Sequence, residues 1–450
     1  MKRLAALLCL GALFFSAPIV AMPVEAHAEQ AAAHRVPVER VVSSGGIEAW
    51  LVSDSTVPMI VLRAYWHGGA ASDPENLFGA SSVMADMLTE GAGDLNADAF
   101  KRRLEELNGR IGASTGWDGV GMSVVTLTEN RDAVFELARL ALNAPRFDAA
   151  PLDRIKRQML VGIRQRETSP GYIANLALDQ ATISGHAYAR RTTRESVSAI
   201  TRANLAERRR ALLARDNLQI TVVGDIDAQT LGPLLDSTFG ALPTQASAAP
   251  IPDVAPAQAA PLIVRDLPQP QSVILFSAPG IQDEDPDWIP LAVANYILGG
   301  GGFSSRLMDQ VREERGLVYG ISTSPSIRDH LATLRGSAQS ENGDVAEAIS
   351  VTRGEIARLY AEGPTQAEVD DAITYLTGSF ALSLSSNVDI SDVVHAYQTS
   401  GRDIDYINRR NDLIRAVTRD DVNRVIRRLF NPDNFSFVVV GQPEGLEPER

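Results

Sequence analysis

The last quarter of the chain repeats its middle. Ile200-Thr201-Arg202 returns as Val417-Thr418-Arg419, an offset of 217. Held without a gap for about 25 residues, that offset sets Leu212-Leu213 on Leu429-Phe430 and Asp216-Asn217 on Asp433-Asn434. It also sets Leu218–Val223 on Phe435–Val440, and Gly224 on Gly441. Each copy predicts a helix opened by a Thr N-cap, an Asp-Asn turn, and an apolar strand ending at glycine. Earlier segments of the two copies match more loosely. Both start with an apolar strand (Met59–Trp66, Ser272–Ser277), pass an Asp-Pro turn (Asp73-Pro74, Asp285-Pro286), form a helix (Leu77–Leu88, Ile289–Leu298), and end in glycines. A chain built this way folds as two related halves.

Between the halves, Ala241–Pro261 is rich in Ala and Pro and nearly uncharged, the composition of a partly extended linker. The expected division is a leader over 1–28, a first domain over 36–242, a linker over 243–261 and a second domain over 262–444. Long helical stretches such as Ala97–Asn108, Arg131–Ala144 and Leu152–Glu167 separate the strands, so each half is α/β or α+β. Strand direction stays open.

The N-terminus predicts export. Lys2 and Arg3 precede an apolar run, Leu4–Phe15, too short to span a bilayer, and Ala26-His27-Ala28 offers a cleavage site after Ala28. The only cysteine, Cys9, falls inside that leader, which excludes disulfides and thiol catalysis from the mature chain. No later apolar run approaches a membrane span. A formal net charge of −14 argues against binding a phosphate backbone, and the short run Arg208-Arg209-Arg210 predicts a solvated helix face. The expected compartment is a bacterial periplasm.

The sequence lacks a G-x-S-x-G elbow, a P-loop and an H-E-x-x-H helix. His34, His67, His186, His330 and His395 never fall at helical ligand spacing. One stretch stands out: Gly299-Gly300-Gly301-Gly302-Phe303-Ser304-Ser305-Arg306-Leu307, followed by Val311-Arg312-Glu313-Glu314-Arg315-Gly316-Leu317-Val318-Tyr319. A Gly-rich loop, F-S-S-R-L, then R-E-x-x-G-L-x-Y resembles the C-terminal half-motif of the pitrilysin and mitochondrial-processing-peptidase family of inverted-motif zinc peptidases. The repeat, the linker and Pro432-Asp433-Asn434 fit the same family, so the resemblance covers roughly 36–442.

That resemblance implies an α+β fold. Two homologous α/β-sandwich halves, mostly antiparallel sheet with helices, stand in tandem as half of a clam. It also implies where zinc is held: an H-x-x-E-H helix with a distal Glu about 75 residues on. Aligned on Met87-Leu88-x-x-Gly91, the first His position holds Ser82, the Glu position Ala85, the second His position Asp86 and the distal Glu position Gly162. Zinc needs three good ligands and a base, so no metal is expected in this chain. A weak hard-cation site at Asp86 and Glu90 is the residual alternative to a solvated face. The family's Arg/Tyr pair maps to Arg312 and Tyr319. A guanidinium and a phenol suit the negative charge that builds on a carbonyl oxygen in peptide hydrolysis. Gly316 is expected to end the helix and put Tyr319 on the next strand. Gly299–Gly302 and Phe303 are expected to face peptide. The implied function is the zinc-less subunit of a heterodimeric peptidase, its partner a homologous chain with H-x-x-E-H and zinc. The alternatives are a structural core protein or a peptide-binding protein of the same fold.

Overall fold

A computed structural model describes residues 35–257 and 262–446, so the predicted leader and its cleavage site lie outside the described residues. The strands in chain order are β1 (Glu39–Val42), β2 (Glu48–Ser53), β3 (Met59–His67), the two-residue hairpin β4 (Gly91–Ala92) and β5 (Leu95–Asn96), β6 (Arg110–Thr115), β7 (Gly119–Leu127) and β8 (Leu218–Gly224). After residue 261 come β9 (Leu262–Asp266), β10 (Gln271–Pro279), β11 (Gly320–Arg328), β12 (Leu331–Glu341) and β13 (Ser436–Gly441).

The N-terminal sheet runs β1-β2-β8-β3-β7-β6 and the C-terminal sheet β11-β12-β10-β13-β9. Without β1, the two orders are the same when read from opposite ends. Neighbours are antiparallel except at one place in each sheet, where β2 lies parallel to β8 and β9 parallel to β13. The chain is therefore of the mixed α+β class, and the strand direction left open by the sequence is mostly antiparallel.

The repeat is visible in its caps. Helix Arg202–Leu212 opens with a capping box between Thr201 and Asn204, and helix Arg419–Leu429 with one between Thr418 and Asp421. Each hydroxyl satisfies a free N–H of the first turn and each N3 side chain returns the bond. The terminal glycines have a packing reason. Gly224 (φ 135°) and Gly441 (φ 157°) end the last strand of each copy beside the start of its antiparallel neighbour. A Cβ at Gly224 would overlap the Met59 carbonyl oxygen, and one at Gly441 would overlap Ser272.

Strand alternation sorts the sheet faces. Ile60, Leu62, Ala64 and Trp66 of β3 and Val120, Met122 and Val124 of β7 point into a core with helices Ala80–Met87, Arg131–Asn143 and Ala228–Phe239. Phe276, Phe430 and Phe437 centre the corresponding C-terminal core.

The other faces are covered by exchange. Helix Pro170–Thr182 packs on β10 and β13 of the C-terminal sheet, burying Ala174, Ala177 and Leu178 against Ile263, Val438 and Val440. Helix Asn387–Thr399 packs on β3 and β8 of the N-terminal sheet, where Val394 joins Trp50, Val52 and Val223. Both ends of these helices are 217 residues apart, so the repeat offset reaches well upstream of the segment where residue identities reveal it. A buried ion cluster backs one exchange: Asp179, on the first helix, takes Arg335 of β12 at 2.9 Å and Arg191 at 2.6 Å. The described residues from Val36 onward therefore make one compact unit.

One expectation changes. The run Arg208–Arg210 is a solvated face only at Arg210. Arg208 is buried and reaches Asp73 at 3.1 Å, Ser72 at 2.6 Å and Ser81 at 3.2 Å, while Arg209 donates to the Leu142 carbonyl. The reason is Asp73. Its carboxylate caps helix Ala80–Met87 by accepting from Gly79 and Ser81, and a buried carboxylate needs a cation. The Ala/Pro stretch, described as far as Ala257, has no helix or strand, yet it is held to both halves. Ser247 N–H donates to Ala211, Val254 N–H to His330 and Ala257 N–H to Thr182, and Asp253 sits 2.8 Å from His330.

Candidate functional site

Helix Ala80–Met87 carries the first three positions of the implied zinc site and packs on helix Ala149–Glu167, which carries the fourth. Ala85 is buried in the core, Ser82 is half-buried and Asp86 is exposed. At Gly162 an added Cβ would meet only open space. Partial burial and then the charge of Glu90 raise the Asp86 carboxyl above its usual range. Glu90 itself is taken by Arg154 at 2.6 Å. Among the described residues no three His, Cys, Asp or Glu side chains come together as a metal site. The residual cation reading at Asp86 and Glu90 thus has one exposed carboxylate and one already neutralised.

The Gly-rich stretch forms the end of a helix. Helix Trp288–Asn295 runs into a wider π-helical turn, Tyr296–Gly300. Gly299 is buried flat against β11: an added Cβ would stand 2.6 Å from Thr323 Oγ1. Gly300 and Gly301 fold back over Asn295 and Tyr296, and the Gly301 N–H donates to the Tyr296 carbonyl. Three of the four glycines therefore serve close packing, while Gly302 turns the chain so that Phe303 projects outward, 67% exposed.

Arg306 anchors the segment beyond Phe303, forking onto Glu368 at 2.6 and 2.8 Å, which helps hold that carboxyl down at about 2 against the burial that would raise it. A second π-helical segment, Met308–Glu313, then carries Arg312. Gly316 (φ 69°) stops it, with its N–H on the Arg312 carbonyl. Tyr319 immediately precedes β11 and its N–H already pairs with Gln339 of β12. The seven-residue spacing is thus a helix, a glycine stop and a strand start, as expected.

The geometry brings Arg312 and Tyr319 to one open cavity of about 430 Å³, with Glu313, Glu341 and Asp344 also in its wall. The Arg312 guanidinium lies over the Phe303 ring, 4.8 Å from its centroid, and 2.7 Å from Glu313. Tyr319 is 60% exposed. One face thus offers a cation, a phenol and an aromatic ring to an extended ligand. Sequence reasoning does not find Glu341 and Asp344; they join through the turn between the end of β12 and helix Val345–Glu362, a contact no local pattern marks.

Fold and comparisons together define the class. Residues 199–376 match the domain described as "Peptidase M16 inactive domain", and the chain has the M16 fold, so the resemblance carried by F-S-S-R-L and R-E-x-x-G-L-x-Y is borne out. The chain is 27% identical to the peptidase M16 inactive domain from Pseudomonas fluorescens, with a TM-score of 0.85 over 92% of this chain and 100% of that one. It is 23% identical over 388 residues to a Helicobacter pylori protein named "Non-peptidase homolog YmxG", covering 85% of this chain and 89% of that protein. The fold also matches the periplasmic protease PqqL from Escherichia coli, at a TM-score of 0.79 and 14% identity over 90% of this chain and 45% of that one. Among the described residues no helix is long and apolar enough to cross a membrane.

Proposed function

We propose that this chain is the zinc-less subunit of a periplasmic heterodimeric zinc metalloendopeptidase. A homologous partner with H-x-x-E-H would supply the zinc and the base. This chain would supply Arg312 and Tyr319, with Gly302 and Phe303 along the peptide's path, while Gly299, Gly300 and Gly301 pack the loop that presents them. Its two peptidase-like domains, 36–242 and 262–444, joined by 243–261, would form half of the enclosing chamber. The observation that carries the reading is the contrast between two places. Ser82, Ala85, Asp86 and Gly162 offer neither a ligand set nor a base, while Arg312 and Tyr319 stand together, accessible, on one cavity wall.

The chemistry asked of this chain is modest. A phenol O–H and a guanidinium N–H donate to the carbonyl oxygen as it gains charge, or hold the peptide backbone in register. Losing one such donor costs about 10²–10³ in rate. Purified alone, the chain is expected to bind no stoichiometric zinc and cleave no peptide. Mixed with the partner, it is expected to raise peptide turnover, and Arg312→Ala or Tyr319→Phe to lower that turnover by about 10²-fold or more. Zinc-dependent cleavage by the chain alone, or full activity of both variants in the mixture, would sink the reading. The name of the Helicobacter relative favours a second reading, a structural or peptide-binding protein with no catalytic partner. Unchanged turnover in both variants together with retained peptide binding by the isolated chain would select it.

A further inference from the structure

The N-terminal sheet has a second cavity, which shares no residue with the one at Arg312 and Tyr319. It is about 390 Å³ and opens over β3, β7 and β6, beside the exchanged helix Asn387–Thr399. Its floor is made by the strand positions that point away from the core: Gly112 and Ser114 of β6, Gly121 and Ser123 of β7. Small residues at four facing positions leave a hollow where side chains would otherwise stand. Tyr65 and His395 form the walls, with their ring centroids 6.3 Å apart and nearly perpendicular. The Arg63–Asp392 pair, closed at 2.9 Å, borders the cavity and adds no net charge.

The hydrogen bonds behind His395 assign its tautomer. Thr221 donates its single hydroxyl proton to Gln398 Oε1 at 2.8 Å. Its oxygen lies 3.2 Å from His395 Nδ1, so Nδ1 carries the proton and donates to Thr221. Nε2 is then a bare acceptor. Burial keeps the imidazole neutral, its pKa lowered to about 4. The Tyr65 hydroxyl is the opposite case. Burial, then Asp329 and Asp118, push its pKa up, so it stays an O–H donor. Gln398 also accepts from the imidazole N–H, which with Nδ1 protonated leaves Nε2 as the acceptor, and the Tyr65 hydroxyl has no hydrogen-bond partner among the described residues. The cavity thus presents one fixed acceptor and one fixed donor above a small-residue floor.

We propose that this cavity binds a neutral amide, its N–H donating to His395 Nε2 and its C=O accepting from the Tyr65 hydroxyl. A carboxylate has no proton for Nε2, and an ammonium has no acceptor for the phenol. The amide comes either from a peptide bond or from an Asn or Gln side chain. This inference does not depend on the partner or on zinc.

Calorimetric titration of the full chain with acetyl-Gly-Gln-Gly-amide, its Glu counterpart and acetyl-triglycine-amide tests it. Tighter binding of the Gln peptide than of the other two, by about tenfold, assigns the side-chain amide. Equal binding of all three assigns the peptide bond. Either result must be accompanied by a loss of about tenfold or more in Tyr65→Phe, which removes one oxygen, and in His395→Phe. Gly121→Val provides an independent arm: a Cβ there meets only Ser114 Oγ, at 3.6 Å, so the strand tolerates it while the cavity fills. Circular dichroism verifies that each variant is folded. The proposal is overturned if none of the peptides binds, if the Glu peptide binds tightest, or if the folded variants bind as the parent does.

Discussion

At the scale of single residues, the chain's informative positions are those where backbone or proton has no freedom. Gly224 and Gly441 recur because the repeat's last strand ends against the start of the neighbouring strand, leaving no volume for a Cβ. Gly224→Ala and Gly441→Ala are each expected to cost about 2–4 kcal/mol, from overpacking and from a positive φ, measured by urea unfolding. His395 makes a pH prediction. Its folded pKa is about 4, below the unfolded value near 6.5, so between those values the unfolded chain binds the extra proton. Its contribution is intact above pH 6.5 and falls away as pH drops toward 4, by at most about 3 kcal/mol. The gap in stability between the parent and His395→Gln should therefore shrink between pH 7 and 4.5; a constant gap would contradict the assignment. Arg312 and Tyr319 are legible from motif spacing, because the π-helical segment, glycine stop and strand start are all local. The burial of Arg208 is not legible, because its partner Asp73 lies far away in sequence and only the fold shows that the carboxylate there needs a cation.

At the scale of elements, the exchanged helices explain why the two sheets do not separate. Each lays its buried face on the sheet of the other half. Asp179 sits at the first of these contacts, its side chain 3% exposed between Arg191 and Arg335. Asp179→Ala leaves both guanidinium groups short of a counter-charge in a dry place. It is expected to lower stability by about 2–3 kcal/mol, at or just below the range for breaking a fully buried pair because both arginines retain some solvent. The measurement is chemical denaturation, with Asp179→Asn as the milder comparison. The boundaries of the long helices are readable from apolar periodicity and Thr caps. The partner of each helix is not: Ala174, Ala177 and Leu178 spell a buried face without saying which sheet buries it.

At the scale of the whole molecule, mutual covering predicts one cooperative transition. Heating residues 36–450 is expected to give a single calorimetric peak, with van't Hoff and calorimetric enthalpies equal. Two resolved peaks would show that the halves unfold independently. Expressed separately, the two halves are expected to aggregate, since each then exposes an apolar sheet face and a helix with no sheet to cover.

By itself, the sequence determined the repeat, the mixed helix-and-strand class, and the spacing that brings Tyr319 to the start of a strand after Arg312. These are properties of short segments, where caps, glycines and periodicity act within a few residues. Only the tertiary structure decided which sheet each exchanged helix covers, that Asp73 draws Arg208 inward, and that Gly112, Gly121, Tyr65 and His395 enclose one cavity. Those outcomes depend on contacts between residues tens to hundreds of positions apart, where burial and the need to pair charge act on whichever groups the fold brings together.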